Sequence, residues 1–253
     1  MTLLAVERIK LFTTRSPMWC TLVALAVTIG FAALIAGVDT ENQPTIASSQ
    51  FGYGFGLVVI MVMATLAITT EYRFGTIRAT FQAVPNRTAA LLAKTTVVAL
   101  FAGLVGEVVA FGSVAISKLI EPGANLGINT AFEWRATAGV GLVYAAAAVI
   151  AVAVGVLIRH SAGAVSLLLV YSQLVESLVA LIPKVGDDIQ QWMPFYVANR
   201  FLTGDPDPTS RLVSEGPPPS NATLSPWWAA AYFVGFALVL LTISIYTANK
   251  RDA

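Results

Sequence analysis

Hydrophobic positions in this chain run on without interruption for twenty residues or more at a time. Six such runs occur, at about 18–38, 51–70, 89–117, 136–158, 162–182 and 227–248. Roughly twenty apolar residues are what a helix needs to cross the hydrocarbon core of a bilayer. A backbone in lipid has to satisfy its own amides and carbonyls, so each run is predicted to be helical. A transmembrane β-barrel would require alternating segments of about ten residues, and these runs are continuous and longer. The predicted fold is all-α: a polytopic membrane protein with six transmembrane helices, taken as one domain over residues 1–253.

Composition agrees with lipid as the solvent. Hydrophobic residues make up 57% of the 253 and charged residues 11%, with a mean hydropathy of +0.75. A soluble domain carries about a quarter charged residues. The net charge of +1 provides no basic field for nucleic acid. The single cysteine, Cys20, excludes an intrachain disulfide and a thiolate zinc site, and reads as a small apolar filler. No metal site is expected. The first apolar run is too long for a signal-peptide core and is read as the first span.

Lysines and arginines orient the spans, because they concentrate on the cytoplasmic side. Arg8, Lys10 and Arg15 precede the first run; Arg73, Arg78, Arg87 and Lys94 lie between or just inside the second and third. Arg159 joins the fourth and fifth, and Lys250 and Arg251 follow the sixth. Six crossings put all of these on one side. Lys118, Arg135, Lys184, Arg200 and Arg211 are spread thinly over the other. Both termini are therefore expected in the cytoplasm. Trp19, Trp134, Trp192, Trp227 and Trp228 fall at predicted interfaces, where amphipathic rings settle. The long outer stretch 183–226 is mixed: 187–202 is aromatic and half apolar, suited to short helices dipping toward the membrane, whereas 204–226 reads as an irregular loop. The Asn86 and Asn221 tripeptides match a glycosylation acceptor but carry no weight. No internal repeat is evident, which argues against carriers built from inverted halves.

Catalytic constellations are missing from the sequence. There is no G-x-x-x-x-G-K-[ST] phosphate loop and no H-E-x-x-H. Gly52, Gly54 and Gly56 open a span without a preceding strand, so close helix packing is the better reading. His160, the one histidine, sits beside Arg159 in a short link and reads as a solvated loop residue.

The informative polar segment is 69–94, TTEYRFGTIRATFQAVPNRTAALLAK. Glu71, Arg73 and Arg78 put charge at the membrane boundary. Gly75-Thr76 offers a helix start with Thr76 as the cap, and 77–84 is predicted as a short helix along the surface, broken by Pro85-Asn86. Such an elbow between two spans suits a docking element.

The same segment resembles the cytoplasmic elbow of ABC type-2 permeases, the membrane subunits of ABC exporters. The likeness rests on Glu71, Tyr72, Gly75, Thr76, Ile77, Pro85, Arg87 and Lys94. It extends to Glu7, Lys10, Leu11 and Arg15-Ser16-Pro17-Met18-Trp19 at the start, and to YTANKRD, residues 246–252, at the end. The resemblance implies a second permease, identical or related, and two copies of a separate ATP-binding subunit. ATP and Mg would be bound in that partner, with no cofactor and no catalytic residue in this chain. It implies an ATPase-coupling helix made by Glu71, Tyr72, Arg73, Phe74, Gly75, Thr76, Ile77, Arg78 and Phe81. It further implies outer re-entrant helices near 187–202, a stretch 3–15 lying on the inner surface, and a prokaryotic plasma membrane. The apolar and charged residues of 3–15 do not separate onto two helical faces.

Charges inside spans are costly and mark function by default. Glu107 in the third run and Glu176 in the fifth are such groups, and Tyr171, Gln173 and Ser177 add polar atoms near Glu176. These five are the candidates for a translocation path or gate; hydrogen-bonded carboxylates that lock neighbouring helices are the alternative. An ATP-independent carrier or channel, and a membrane scaffold, are the competing functions. The orientation is directly testable: alkaline phosphatase fused after Asp205 is expected to be active, and fused after Gly75 inactive.

Overall fold

The computed structural model describes residues 3–38, 43–84, 86–205, 216–218, 220 and 222–251. Pro85, Arg211, Asn221 and Asp252, each named in the sequence reading, lie outside the described residues. The helices are α1 (Leu3–Thr13), α2 (Arg15–Val38), α3 (Ile46–Ser49), α4 (Tyr53–Arg73), α5 (Thr76–Ala83), α6 (Arg87–Ile120), α7 (Ala131–Ile158), α8 (Ser161–Leu169), α9 (Glu176–Val179), α10 (Gly186–Gln190), α11 (Pro194–Thr203) and α12 (Pro226–Arg251). A π-helical stretch, Val170–Val175, joins α8 to α9. Among the described residues, six helical segments are long and apolar enough to cross a membrane: α2, Ile46–Arg73, α6, α7, Ser161–Val179 and α12.

Caps explain the early starts of the third and fourth spans. The third begins at Arg87 because the Asn86 side chain accepts from the Ala89 amide at 3.0 Å. The fourth begins at Ala131, five residues before the predicted 136. Thr130 and Glu133 form a reciprocal capping box there, with Glu133 N donating to Thr130 Oγ1 at 3.2 Å and Thr130 N to Glu133 Oε2 at 2.8 Å. His160 is exposed, as expected of a loop residue, but it also caps α8, with Nδ1 accepting from Gly163 N at 3.0 Å.

The elbow helix corrects one expectation. Thr76 is not its cap. Gly75 holds that position at φ 72°, a left-handed conformation in which a residue with a Cβ is strained, and the helix therefore starts at Thr76 and ends at Ala83. Thr76 Oγ1 instead donates back to Glu71 O at 3.5 Å.

α7 is the central post. Of its most apolar window 72% is buried, against 17% for Ser161–Val179. Small residues let its neighbours approach closely, which is how helices associate where lipid removes the hydrophobic drive. A Cβ on Gly106 of α6 would lie 2.9 Å from the Gly141 Cα of α7, and a Cβ on Gly155 would lie 2.5 Å from the Ile68 side chain of α4. Gly52 and Gly56 similarly admit Thr28 and, for Gly56, Tyr144, whereas Gly54 meets nothing within 4 Å. Tyr144, fully buried, donates to Tyr53 O at 2.7 Å, and Tyr53 Oη donates to Asn199 Oδ1 at 2.8 Å. This chain of bonds ties α7 to α4 and α4 to α11.

The packing has a measurable consequence. Gly106→Leu forces side-chain atoms into the α7 backbone and should cost about 1–3 kcal/mol, read as a lowered Tm in detergent. Gly54→Ala, on the open face, should leave Tm unchanged.

Candidate functional site

The elbow sits at the end of the bundle that carries α1. Residues Arg73, Phe74, Gly75, Thr76 and Arg78 are exposed, Phe74 at 71%. Ile77 is buried at 5% exposure, and Tyr72 and Phe81 are half-buried. One face of α5 is thus anchored in the protein and the other is presented outward.

Beneath it lies a cluster of four charges. Lys94 Nζ donates to Glu7 Oε2 at 2.5 Å and to Glu71 Oε1 at 2.8 Å. Lys10 Nζ donates to Glu7 Oε1 at 2.7 Å and to Thr80 Oγ1 at 3.1 Å, and pairs with Glu71 Oε1 at 3.4 Å. The Lys94 and Glu7 side chains are 6% exposed and that of Glu71 is 12%. The four residues come from α1, α4 and α6, and Thr80 from α5. Burial works against the charge on Lys10, but the hydrogen bond to Glu7 and the charge of Glu71 outweigh it, and its pKa is raised above the ordinary 10.5. The attachment it provides is complete below that ordinary value and is lost as pH rises through the raised one.

Beside the elbow, a groove of about 800 Å³ is edged by Arg73, Arg78, Arg87, Arg159 and Arg251. Among the described residues no carboxylate lines it. Three of the guanidinium groups rest on aromatic rings: Arg73 on Phe74 at 5.5 Å, Arg87 on Phe81 at 5.6 Å and Arg159 on Tyr72 at 5.1 Å.

The intramembrane candidates do not form one cluster. Glu176 is buried at 4% exposure, and its carboxylate accepts from Phe195 N at 3.1 Å and Tyr196 N at 2.7 Å, capping the start of α11. Its backbone carbonyl accepts from Gln190 Nε2 at 2.9 Å. Tyr171 donates to Met193 Sδ at 3.6 Å and meets Phe195 edge-on. Glu107, half-buried, lies instead against Gly141 of α7, and no bond joins it to Glu176. Gln173 and Ser177 are exposed, with Ser177 Oγ donating to Gln173 O at 3.2 Å.

Glu7, Lys10 and Lys94 stood in the sequence as points of resemblance, not as site residues. The available signal was Lys94 itself, a charge inside an apolar run.

A family profile described as an ABC-2 family transporter protein matches residues 3–174, well over half of the chain. This protein belongs to the ABC-2 transporter family. The ABC-2 match takes in α1, the charge cluster, the elbow, Glu107, Tyr171 and Gln173; Glu176 and Ser177 lie just beyond it. No curated protein matches the chain at a significant level. As an ABC-2 permease it is a multi-pass membrane component of a transporter, and membrane subunits of that family generally pair with ATP-binding subunits.

Removing one partner of a buried ion cluster leaves the others uncompensated. Lys94→Met should therefore destabilise the ABC-2 permease by about 3–5 kcal/mol, measured by thermal unfolding in detergent. Adding Glu7→Gln and Glu71→Gln to it should restore most of the loss.

Proposed function

We propose that this chain is the permease subunit of an ATP-driven exporter, paired with a second permease and with two separate ATP-binding subunits that hold ATP and Mg. The observation that carries this reading is the elbow: its outer face is exposed while its inner face is tied, through Thr80, Lys10, Glu71 and Lys94, to three other helices. A push on α5 is thereby delivered to α1, α4 and α6 together. ATP-driven closure of the partners biases the permease between two states through differential contacts. Glu71, Tyr72, Arg73, Phe74, Gly75, Thr76, Ile77, Arg78 and Phe81 form the coupling element. The arginine-edged groove favours an acidic rim on the ATP-binding subunit.

The helix pair α8–α9 supports the second copy. Gln173 and Ser177 are polar and exposed on the span that this chain covers least. Polar groups facing lipid are costly, and a partner permease or an aqueous path relieves that cost. Glu107, Tyr171 and Glu176 border the same path, with α10 and α11 as re-entrant outer helices above it, held by Glu176. Orientation follows the arginine bias, with both termini cytoplasmic in a prokaryotic plasma membrane and transport directed outward.

Pull-down in mild detergent should recover an ATP-hydrolysing subunit, cross-linkable from Tyr72 or Arg78. Raising the salt from about 0.05 to 0.5 M should weaken that association severalfold if the arginine groove contributes. Gly75→Val strains the left-handed turn and should uncouple transport from ATP hydrolysis while the protein still reaches the membrane. A carrier or scaffold acting alone would recover no ATPase.

A further inference from the structure

A cavity of about 600 Å³ opens between α1, the start of α2, α4 and α6; Glu71 lines it but not the arginine groove, and Phe74 borders both. Its two ends differ in chemistry. Leu11, Pro17, Met63, Leu66, Ala67 and Val98 make an apolar wall, and most of these belong to membrane-spanning helices. The other end holds the four charges of the cluster, with the hydroxyls of Thr13, Thr14 and Ser16 beside them. A site that is apolar along a span and charged at the span's end has the polarity of one lipid molecule at the edge of a leaflet.

Within the charged end one atom is left over. Glu71 Oε1 accepts from Lys94, but Glu71 Oε2 is buried and accepts from no described residue. A buried carboxylate oxygen without a donor is expensive, so a donor brought by a ligand gains disproportionately there. The cluster is otherwise balanced, two lysines against two glutamates, which disfavours a ligand of high net charge of either sign. The more exposed lysine, Lys10 at 34%, is placed to meet a phosphate while Glu71 meets an ammonium.

We propose that this cavity binds a phospholipid with a primary-amine headgroup, of the phosphoethanolamine type, with its ammonium donating to the carboxylate of Glu71, whose side chain lines the cavity and is 12% exposed, and part of an acyl chain along Met63, Leu66 and Ala67. A choline headgroup carries the same charges but has no N–H to donate, so the site discriminates between the two. The inference requires only that the chain spans a membrane, and it stands independently of which ATPase partner is recruited.

The test uses the full chain, purified in detergent and stripped of lipid. It is titrated with phosphatidylethanolamine and with phosphatidylcholine of identical acyl chains, and bound lipid is counted by native mass spectrometry. The ethanolamine lipid should be retained at least about tenfold better. Ala67→Phe, which fills the apolar wall at a half-buried position, should abolish that preference; Leu66→Phe serves if Ala67→Phe lowers Tm. Glycerophosphoethanolamine, the headgroup without chains, should compete poorly. Equal retention of the two lipids overturns the proposal, as water or annular lipid would then fill the space. So does a preference that survives both cavity-filling variants. Competition by the chainless headgroup as strong as by the lipid would assign the cavity to a water-soluble amine and overturn the lipid source.

Discussion

Lys94 is the hinge of this architecture in the energetic sense. It sits seven residues into a span-length helix, 6% exposed, and its ammonium is held between Glu7 and Glu71. A lone lysine at that place would be excluded by the cost of desolvating it. Two carboxylates make it tolerable, and they come from α1 and from the last turn of α4. Helix α1, whose apolar and charged residues do not sort onto two faces, is therefore placed by Glu7 and Leu11, its two buried residues, rather than by an amphipathic stripe.

The rest of the bundle answers a different constraint. Away from the charge cluster, helices approach through Gly106, Gly141 and Gly155, and Tyr144 fills the space that Gly56 and Gly106 leave. At Gly106 and Gly141 backbone meets backbone, whereas Gly155 makes room for the side chains of Ile68 and Thr69. Polar anchors at the two ends, Lys94 at one and Glu176 at the other, are thus joined by a section whose packing allows little independent adjustment.

The spans and the elbow were legible because both are written locally: continuous apolar runs, and a polar interval with Gly75 in it. The capping box of Thr130 and Glu133 was equally local and accounts for the five residues by which the fourth span starts early. Other features were not legible for a physical reason. Glu7 and Lys94 meet across 87 positions of chain, and Glu176 reaches amides 19 and 20 residues on; spacing along a sequence holds no trace of such pairings. Glu107 and Glu176 look alike as charges in apolar runs, yet one faces Gly141 and the other caps a helix. The profile match to the family ends at residue 174, so for Glu176 the geometry is the whole of the case.

The π-helical stretch Val170–Val175 decides where Glu176 points. Each residue of an α-helix advances the azimuth by about 100°, and a π turn takes up about one more residue than an α turn, so the residues after it lag by roughly one step. Beyond Val175 the side chains are consequently phased one step away from what an unbroken helix from Ser161 would give. That offset aims Glu176 inward at α11 while leaving Gln173 and Ser177 outside. Winding the same residues as an unbroken α-helix would swing the carboxylate by about 100°, away from α11, and strand two of its amides without an acceptor, whereas deleting one residue from the stretch would absorb the lag and keep Glu176 facing α11.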